Sequence, residues 1–536
     1  MNWHQNAIFY ELYLRAFQDG NGDGHGDFTG LRQRLDYLQW LGVDVIWLLP
    51  INTSPLKDDG YDVSSYYGIH RDYGLLEDFM ITVEEIHRRG MRVITDMVMN
   101  HTSDQHPWFQ ESRRSKESTM RDFYVWSPDA EPYKDARIIF LDSERSNWAY
   151  SAQTNEYYWH RFFSEQPDLN YDNPRVQEEM IRAVRFWLDL GVDGFRLDAV
   201  PYLFEREGTS CENLPETHTF LKRVRALVDQ EFPGRLLLAE ANQWPKDLMP
   251  YFGSGDELQM CFHFPVMPRL FMALAKGDKT PIIQVMNDTP PLPPGCQWAT
   301  FLRNHDELTL EMVTPEEREF MWNFYAPEYG QRLNLGIRRR LAPLLGNDRR
   351  KIELMHSLLY TLPGAPVMYY GDEIGMGDNV ALPDRNGVRT PMQWANASHG
   401  GFTNGQSAYS RVIDDPQYGF QNVNVELQMA DPESLLNTVR SMIYARKNLS
   451  MLAGGSLAWH ETGSNSVLAY WRAGEASEKA PTGRLLALHN LSDTAQTVPL
   501  PADARLADAL RMEQGVTLLS ETVTLEPYAY RWLVEL

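Results

Sequence analysis

The chain alternates between short apolar runs and longer segments whose apolar residues recur at helical spacing. Eight runs have the length and composition of fully buried parallel strands. They cover residues 8–12, 43–50, 92–100, 194–200, 235–240, 260–265, 299–306 and 366–373. Helical periodicity lies between them, for example over residues 31–41, 76–89, 176–190 and 218–228. This alternation indicates a parallel sheet, and eight units predict an α/β fold of the (β/α)8 TIM-barrel type.

Two long segments interrupt this alternation. Residues 101–166 follow the third strand, are rich in Trp, Tyr, Ser and Asp, and are too long for a plain connection. We therefore expect an inserted subdomain B there, with the barrel formed by residues 1–100 and 167–450. A helical excursion over residues 308–348 is expected after the seventh strand. From residue 451 to 536 the pattern changes to short alternating runs, which predict a C-terminal antiparallel β-sandwich.

The composition limits the kinds of binding partner and the cellular compartment that we expect for the protein. The 536 residues carry a formal net charge of −23, which disfavours binding to nucleic acid or to an acidic membrane. Three cysteines are too few, and odd in number, for a disulfide framework. The N-terminus lacks the basic and apolar regions of a signal peptide, and no apolar run is long enough to span a bilayer. We expect a cytoplasmic protein with a small-molecule substrate; whether it forms a homo-oligomer is left open.

Polar side chains fall repeatedly at the C-terminal ends of the predicted strands. They are Asp96, Asn100, His101, Arg196, Asp198, Glu240, His305 and Asp306. In a barrel these ends converge on one mouth, where enzymes of this fold keep their active sites. Carboxylates from three strands are what retaining glycoside chemistry needs, with nucleophile and acid roughly 5–5.5 Å apart. Any one of them alone is compatible with a salt bridge or a strand-end cap.

Local chemistry suggests separate roles for the three carboxylates. Asp198 shares a strand face with Arg196, so we expect a lowered pKa and the role of nucleophile. Glu240 ends the apolar run LLLAE with no cation adjacent in sequence, so we expect the raised pKa of a general acid. Asp306 would be the anionic partner of an oxocarbenium-like transition state.

The segment DGNGDGHGD, residues 19–27, has oxygen-bearing side chains at alternating positions. Asp19, Asn21, Asp23 and Asp27, with the carbonyl of His25, match the ligand spacing of a calcium loop. The alternative is a glycine-rich polar turn. We expect structural Ca2+, because acidic oxygens crowded without a cation would repel one another.

Five segments resemble the conserved motifs of the α-amylase superfamily, glycoside hydrolase family 13. They are DMVMNH (96–101), QPDLN (166–170), GFRLDAV (194–200), LLAEAN (237–242) and FLRNHDE (301–307). The resemblance covers nearly the whole chain. Within the superfamily the chain is similar to glucosyltransferases that interconvert maltose and trehalose, through residues 106–114, 136–150, 198–218, 336–345 and 384–394. Asn386 stands where many members carry Asp.

The resemblance implies the same three catalytic roles and adds further site residues. It implies that His101, Arg196 and His305 bind sugar hydroxyls. Tyr61 would be a stacking platform for the pyranose, and Asp58 and Arg389 would grip the non-reducing end and close the pocket. It also implies a second calcium site, formed by Asn100, Asp168 and Glu205 with the carbonyls of Tyr202 and Leu203. No organic cofactor is expected.

These observations predict an intramolecular α-glucosyl transfer that isomerises maltose and trehalose by double displacement, with minor hydrolysis to glucose. The alternative is an α-glucosidase or α-amylase-type hydrolase that uses the same residues with an open acceptor site. A non-catalytic sugar-binding protein on this fold is disfavoured, because Asp198, Glu240 and Asp306 are all present.

Overall fold

A closed barrel of eight parallel strands forms the centre of the molecule. The computed structural model describes residues 2–501, 504–511 and 521–536, so residue 1 and parts of the predicted C-terminal domain (502–503 and 512–520) lie outside the described residues. The barrel strands are β1 (Phe9–Leu12), β2 (Val45–Leu48), β3 (Arg92–Val98), β4 (Gly194–Asp198), β5 (Leu236–Ala239), β6 (Met260–Phe262), β7 (Gln297–Phe301) and β8 (Ala365–Tyr369). Their order around the ring follows the chain, which confirms the predicted fold.

Helices surround the barrel and connect its strands. The longer ones are Phe28–Leu41, Leu76–Arg88, Pro174–Asp189, Pro215–Glu231, Val266–Lys276, Pro315–Tyr325, Arg349–Thr361 and Leu435–Lys447. Shorter ones are Leu14–Phe17, Pro107–Ser112, Pro245–Leu248, Thr280–Asn287, Leu341–Leu344, Val425–Ala430 and Met451–Gly454. Local sequence sets their ends: the Asn173 side chain accepts the Arg175 N–H, and Pro174 occupies the first turn.

The segment between β3 and Pro174–Asp189 carries its own small sheet. Its antiparallel strands are Trp126–Ser127, Trp148–Ser151 and Glu156–Trp159. Trp148 and Trp159 pack with Cys211, which belongs to the loop after β4, so this subdomain rests on the barrel mouth. A two-stranded ribbon, Asn52–Thr53 with Ser65–Ile69, follows β2.

The excursion after β7 is less helical than its sequence indicates. Beside helix Pro315–Tyr325 it contains an antiparallel sheet of Leu308–Thr309, Arg332–Leu333 and Gly336–Ile337. Strands of two residues are too short to leave a period in the sequence.

The C-terminal part pairs two antiparallel sheets. One contains Ser456–Trp459, Val467–Ala473, Arg484–Asn490, Leu506–Asp508 and Tyr530–Glu535; the other pairs Gln496–Pro499 with Thr522–Leu525. Apolar side chains from both sheets, including Leu486, Val498 and Leu525, form one buried cluster, as in the predicted sandwich. The Trp532 indole donates to Ser357 Oγ at 2.8 Å and fixes this part to the barrel.

Two further findings concern the described residues. All three cysteines lie among them, buried and without disulfide bonds. Within the same residues, no helix combines the length and the apolar character that crossing a bilayer requires.

Candidate active site

A pocket opens at the C-terminal ends of the barrel strands. The predicted site residues that line it are Asp58, Tyr61, His101, Asp198, Glu240, His305 and Asp306. Subdomain B contributes Ile139, Phe140 and Phe162 to its wall, and the excursion after β7 contributes Thr309 and Glu311. The structure thus brings the three predicted catalytic carboxylates together in one enclosure.

Arg196 connects the acidic residues at the base of this pocket. The side chain is buried, and its Nη1 donates to both Asp96 and Asp198. Its Nη2 lies 2.6 Å from Glu240 Oε1. Asp198 and Glu240 therefore approach each other across one guanidinium, as two groups acting on a single glycosidic bond must.

Burial raises the pKa values of both Asp198 and Glu240, and it raises them to different levels. It raises the pKa of Asp198 to about 6, even though Arg196 acts to lower it. The expected lowering of the Asp198 pKa is therefore wrong, because loss of solvent outweighs the cation. Burial raises the pKa of Glu240 to about 8 against the opposing effect of Arg196, with Asp198 and Asp306 adding to the rise. The expected direction for Glu240 is confirmed, although a cation does lie beside it in space.

Asp306 is held as an anion by two arginines. Burial alone would raise its pKa, but the neighbouring charges of Arg385 and Arg389 lower it below the ordinary value. The nearest cationic atoms are Arg389 Nη2 at 2.9 Å and Arg385 Nε at 3.1 Å. Sequence reasoning missed Arg385, which lies in the loop after β8 and carries no local signal to distinguish it from other loop arginines.

The two residues expected to grip the non-reducing end have different ionic partners. Asp58 accepts the Gln166 amide at 2.8 Å and lies 3.7 Å from Arg385. Arg389 lies 2.6 Å from Asp59. Because Asp58 and Asp59 are adjacent in the chain but face different arginines, both arginines tie the loop after β2 to the loop after β8.

Three of the residues expected to contact the sugar, namely His101, His305 and Tyr61, are buried and uncharged at neutral pH. Burial lowers the pKa of His101 to about 3, and that of His305 well below its ordinary value. Tyr61 lies parallel to the His305 ring, with centroids 5.3 Å apart and 7° between the planes. Its phenolic oxygen is 2.8 Å from His305 Nε2. Neutral hydrogen-bonding groups beside an aromatic face suit a sugar ring.

A second cluster, here called the latch, joins subdomain B to the barrel loops. Arg137 donates to Glu311 at 2.6 Å, to Glu212 at 2.8 Å and to the Tyr202 hydroxyl at 3.2 Å. Arg161, also from subdomain B, contacts Glu212 at 3.1 Å. Glu311 and Tyr202 both line the pocket, so the latch closes one side of it. No sequence pattern indicates this cluster, since its members lie far apart in the chain.

The loop over residues 19–27 gathers negative charge. Asp19 Oδ1 accepts the Asn21 N–H at 3.0 Å, and Asp23 Oδ1 accepts the His25 N–H at 2.8 Å. Burial raises the pKa of Asp27, and the nearby Asp19 and Asp23 add to the rise. Carboxylates are ligands that suit a hard cation, although no group of three or more His, Cys, Asp or Glu among the described residues is placed so that it could hold a metal ion.

The expected second set of calcium ligands also lies together. Asn100 Oδ1, Asp168 Oδ2 and Glu205 Oε1 are buried and have no hydrogen-bond partner among the described residues. Burial raises the pKa of Asp168 to about 8 and that of Glu205 well above its ordinary value. Orphaned buried oxygens fit a divalent cation. Asp168 and Glu205 supply only two carboxylates, so the site would also need the Asn100 amide oxygen and carbonyl oxygens.

Comparison with known proteins defines the class of the chain. The α-amylase catalytic-domain family matches residues 11–321 and 338–455. The C-terminal immunoglobulin-like domain of D-apionate lactonase matches residues 474–533. With its barrel and three carboxylates at the mouth, the chain belongs to the α-amylase family, and the predicted resemblance is confirmed.

Individual relatives and one solved structure describe the similarity in more detail than the family match does. The chain is 56% identical over 506 residues to trehalose synthase/amylase TreS of Mycobacterium tuberculosis, covering 93% of this chain and 83% of that protein. It is 53% identical to trehalose synthase of Pimelobacter sp., covering 93% and 88%. A solved structure of trehalulose synthase MutB, in an inactive form with isomaltulose, superposes with a TM-score of 0.82 at 26% identity and covers 100% of this chain and 99% of that one.

Proposed function

We propose that this protein isomerises maltose and trehalose by intramolecular glucosyl transfer. The proposal is supported by trehalose synthase relatives that match nearly the whole chain. The observation that carries it is the contact of Asp198 and Glu240 with one guanidinium, where pKa values of about 6 and about 8 leave the first ionised and the second protonated at neutral pH.

In the first displacement, the Asp198 carboxylate attacks the anomeric carbon of the non-reducing glucose of maltose. Glu240 gives its proton to the departing glycosidic oxygen, which leaves glucose and a covalent glucosyl ester on Asp198. Asp306 is kept anionic by Arg385 and Arg389, so it stabilises positive charge on the sugar ring in the transition state.

In the second displacement, the freed glucose turns within the pocket and presents its own anomeric hydroxyl. Glu240, now a carboxylate, takes the proton of that hydroxyl. At the same time, the hydroxyl oxygen of the glucose attacks the anomeric carbon of the glucosyl ester. The Asp198–glucose bond breaks and the α,α-1,1 linkage of trehalose forms. Two inversions preserve the α configuration of the transferred ring.

Isomerisation must be faster than attack by water, which requires a closed pocket. The latch and the aromatic side chains of Phe140 and Phe162 cover the pocket from the subdomain B side. Glucose is the product expected when closure fails. Hydrolysis of α-1,4-glucosides is the second candidate function, because the Mycobacterium tuberculosis relative is a trehalose synthase/amylase.

Structural Ca2+ is part of the proposal. Asp19, Asn21, Asp23, Asp27 and the His25 carbonyl would hold one ion. Asn100, Asp168, Glu205 and the carbonyls of Tyr202 and Leu203 would hold the second. Because Asp168 pairs with His101 in an isolated bridge, the second ion would brace subdomain B against the barrel. A cytoplasmic location is supported by three cysteines that form no disulfide.

Product analysis tests the proposal. The purified protein is incubated with maltose alone, and the sugars are separated by anion-exchange chromatography over time. We expect trehalose as the main product, with a minor share of glucose; starting from trehalose should give maltose. Glucose as the sole product from maltose would contradict the proposal in favour of a hydrolase.

A further inference from the structure

Glu11 is a fully buried carboxyl on β1 that contacts the active site from behind. Its Oε1 lies 2.5 Å from His305 Nδ1 and accepts the His305 backbone N–H at 3.2 Å. Its Oε2 is buried and has no hydrogen-bond partner among the described residues. Glu11 does not line the pocket within the part of the chain that is described, whereas His305 does. A buried carboxyl oxygen without a partner is destabilising, and the feature that distinguishes Glu11 from other buried carboxyls is its contact with the pocket residue His305.

The opposite edge of the His305 ring faces oxygen atoms. Nε2 is 2.8 Å from the Tyr61 hydroxyl and 3.2 Å from Asp306 Oδ2. Tyr61 has an acceptor of its own, because its hydroxyl donates to Asp96 Oδ1 at 3.4 Å. Asp306 is an anion between Arg385 and Arg389 and has no hydrogen to offer. A lone pair on Nε2 would therefore oppose the Asp306 carboxylate, whereas an Nε2–H satisfies both neighbours.

A neutral imidazole has one donor nitrogen and one acceptor nitrogen. If Nε2 carries the hydrogen, Nδ1 is an acceptor and needs a donor. The side-chain atom in contact with Nδ1 is Glu11 Oε1, which donates only when the carboxyl is protonated.

We propose that Glu11 is a positioning residue that keeps its proton, donates it to Nδ1 of His305, and so fixes the tautomer that presents Nε2–H to Asp306 and to the bound sugar. The charged groups that face the Glu11 carboxyl are Asp96, Arg196 and Asp306. Burial raises the pKa of Glu11 well above its ordinary value, and Asp306 and Asp96 add to the rise against Arg196 and the His305 N–H, in agreement with a neutral carboxyl.

Two substitutions separate positioning from charge. In Glu11→Gln the amide nitrogen can still donate to Nδ1 but cannot accept the His305 backbone N–H, so kcat/KM for maltose should fall by less than about tenfold, as the loss of one neutral hydrogen bond allows. In Glu11→Met no donor remains, and kcat/KM should fall roughly 10- to 100-fold, as it does when a group that orients a reacting ligand is lost.

A direct readout of the tautomer uses 15N-imidazole-labelled full-length protein. The His305 signals are assigned by their loss in His305→Gln. We expect 15N shifts of an Nε2–H tautomer in the wild type and in Glu11→Gln, and a mixture in Glu11→Met. The prediction for kcat/KM rests on the proposed function, whereas the 15N shifts report the His305 tautomer with or without turnover. The proposed function and the role of Glu11 can therefore fail separately.

Glu373 provides a matched control. Its carboxyl is also fully buried, accepts the hydroxyls of Tyr10 and Tyr37 at 2.7 and 2.8 Å, and has one oxygen without a partner in the described chain. Glu373→Met should lower the thermal midpoint and leave kcat/KM unchanged. An Nδ1–H tautomer in the wild type, a Glu11→Gln variant as impaired as Glu11→Met, or a Glu11→Met variant with wild-type kcat/KM would overturn the proposal. If Glu11→Met does not fold, Glu11→Gln and the wild-type 15N shifts still decide it.

Discussion

Arg196 Nη2 lies 2.6 Å from Glu240 Oε1, so the residue proposed as the acid shares its cation with the proposed nucleophile. This sharing limits how far the guanidinium can lower either pKa, and burial raises both. The result is an ionised Asp198 beside a protonated Glu240 over a defined range of pH.

The first prediction is a bell-shaped dependence of kcat/KM for maltose on pH. Activity should rise as Asp198 loses its proton near its pKa of about 6, and fall as Glu240 loses its proton near its pKa of about 8. Initial rates between pH 4.5 and 9.5 provide the measurement. Activity that continues to rise well above pH 8 would argue against Glu240 as the acid.

The Glu240→Gln variant tests the role of Glu240 as the acid separately from the role of Asp198 as the nucleophile. With α-D-glucosyl fluoride the leaving group needs no protonation, so formation of the glucosyl ester should persist in Glu240→Gln while maltose turnover falls by roughly 10²–10⁴-fold. An equal loss on both substrates would mean that Glu240 has a structural role.

The second prediction concerns the latch. Replacing Arg137 by Ala removes its contacts with Glu212 and Glu311 and opens one side of the pocket. Water should then compete better for the glucosyl ester. A change of about 1 kcal/mol between the two barriers would raise the glucose-to-trehalose ratio roughly fivefold. The measurement is the product ratio from maltose at low conversion.

Arg114→Ala is the matched control for the latch. Arg114 also lies in the inserted segment, but it is exposed, and within the described residues its side chain pairs with Glu111 of the preceding helix Pro107–Ser112. Its product ratio should equal that of the wild type. A wild-type ratio in Arg137→Ala would show that the latch does not exclude water.

The third prediction concerns Ca2+. Removing divalent cations with a chelator should lower the thermal midpoint by about 3–5 °C, and added Ca2+ should restore it, because an ion that binds only the folded state stabilises it. Glu205→Gln should show a smaller chelator effect, since one of its buried oxygens, Oε1, is a proposed ligand.

Glu257→Gln serves as the control for that substitution. Glu257 is fully buried and pairs with His218 at 2.8 Å, but it belongs to neither proposed calcium site. Its chelator response should match that of the wild type. A thermal midpoint that the chelator leaves unchanged in the wild type would rule out structural Ca2+.

Much of the barrel could be predicted from sequence because fully buried parallel strands are continuous apolar runs, as in β2 (Val45–Leu48). The three candidate catalytic carboxylates could be located because they lie at the ends of such runs. Contacts between residues that are distant in the chain could not be predicted from the sequence. Examples are the contact of Arg385 with Asp306 and that of Glu11 with His305. The same limit made the expected pKa of Asp198 wrong, since a local pattern shows the adjacent cation but not the depth of burial.

The proposed covalent bond between Asp198 and glucose is tested most directly by trapping it. The enzyme is treated with 5-fluoro-α-D-glucosyl fluoride, which forms the glucosyl ester faster than it is discharged, and is then digested and analysed by mass spectrometry. We expect one fluoroglucosyl group per chain, on the peptide that contains Asp198, and no label in Asp198→Asn. A label on Glu240 or Asp306, or an unmodified but inactivated enzyme, would contradict the assignment of Asp198 as the nucleophile.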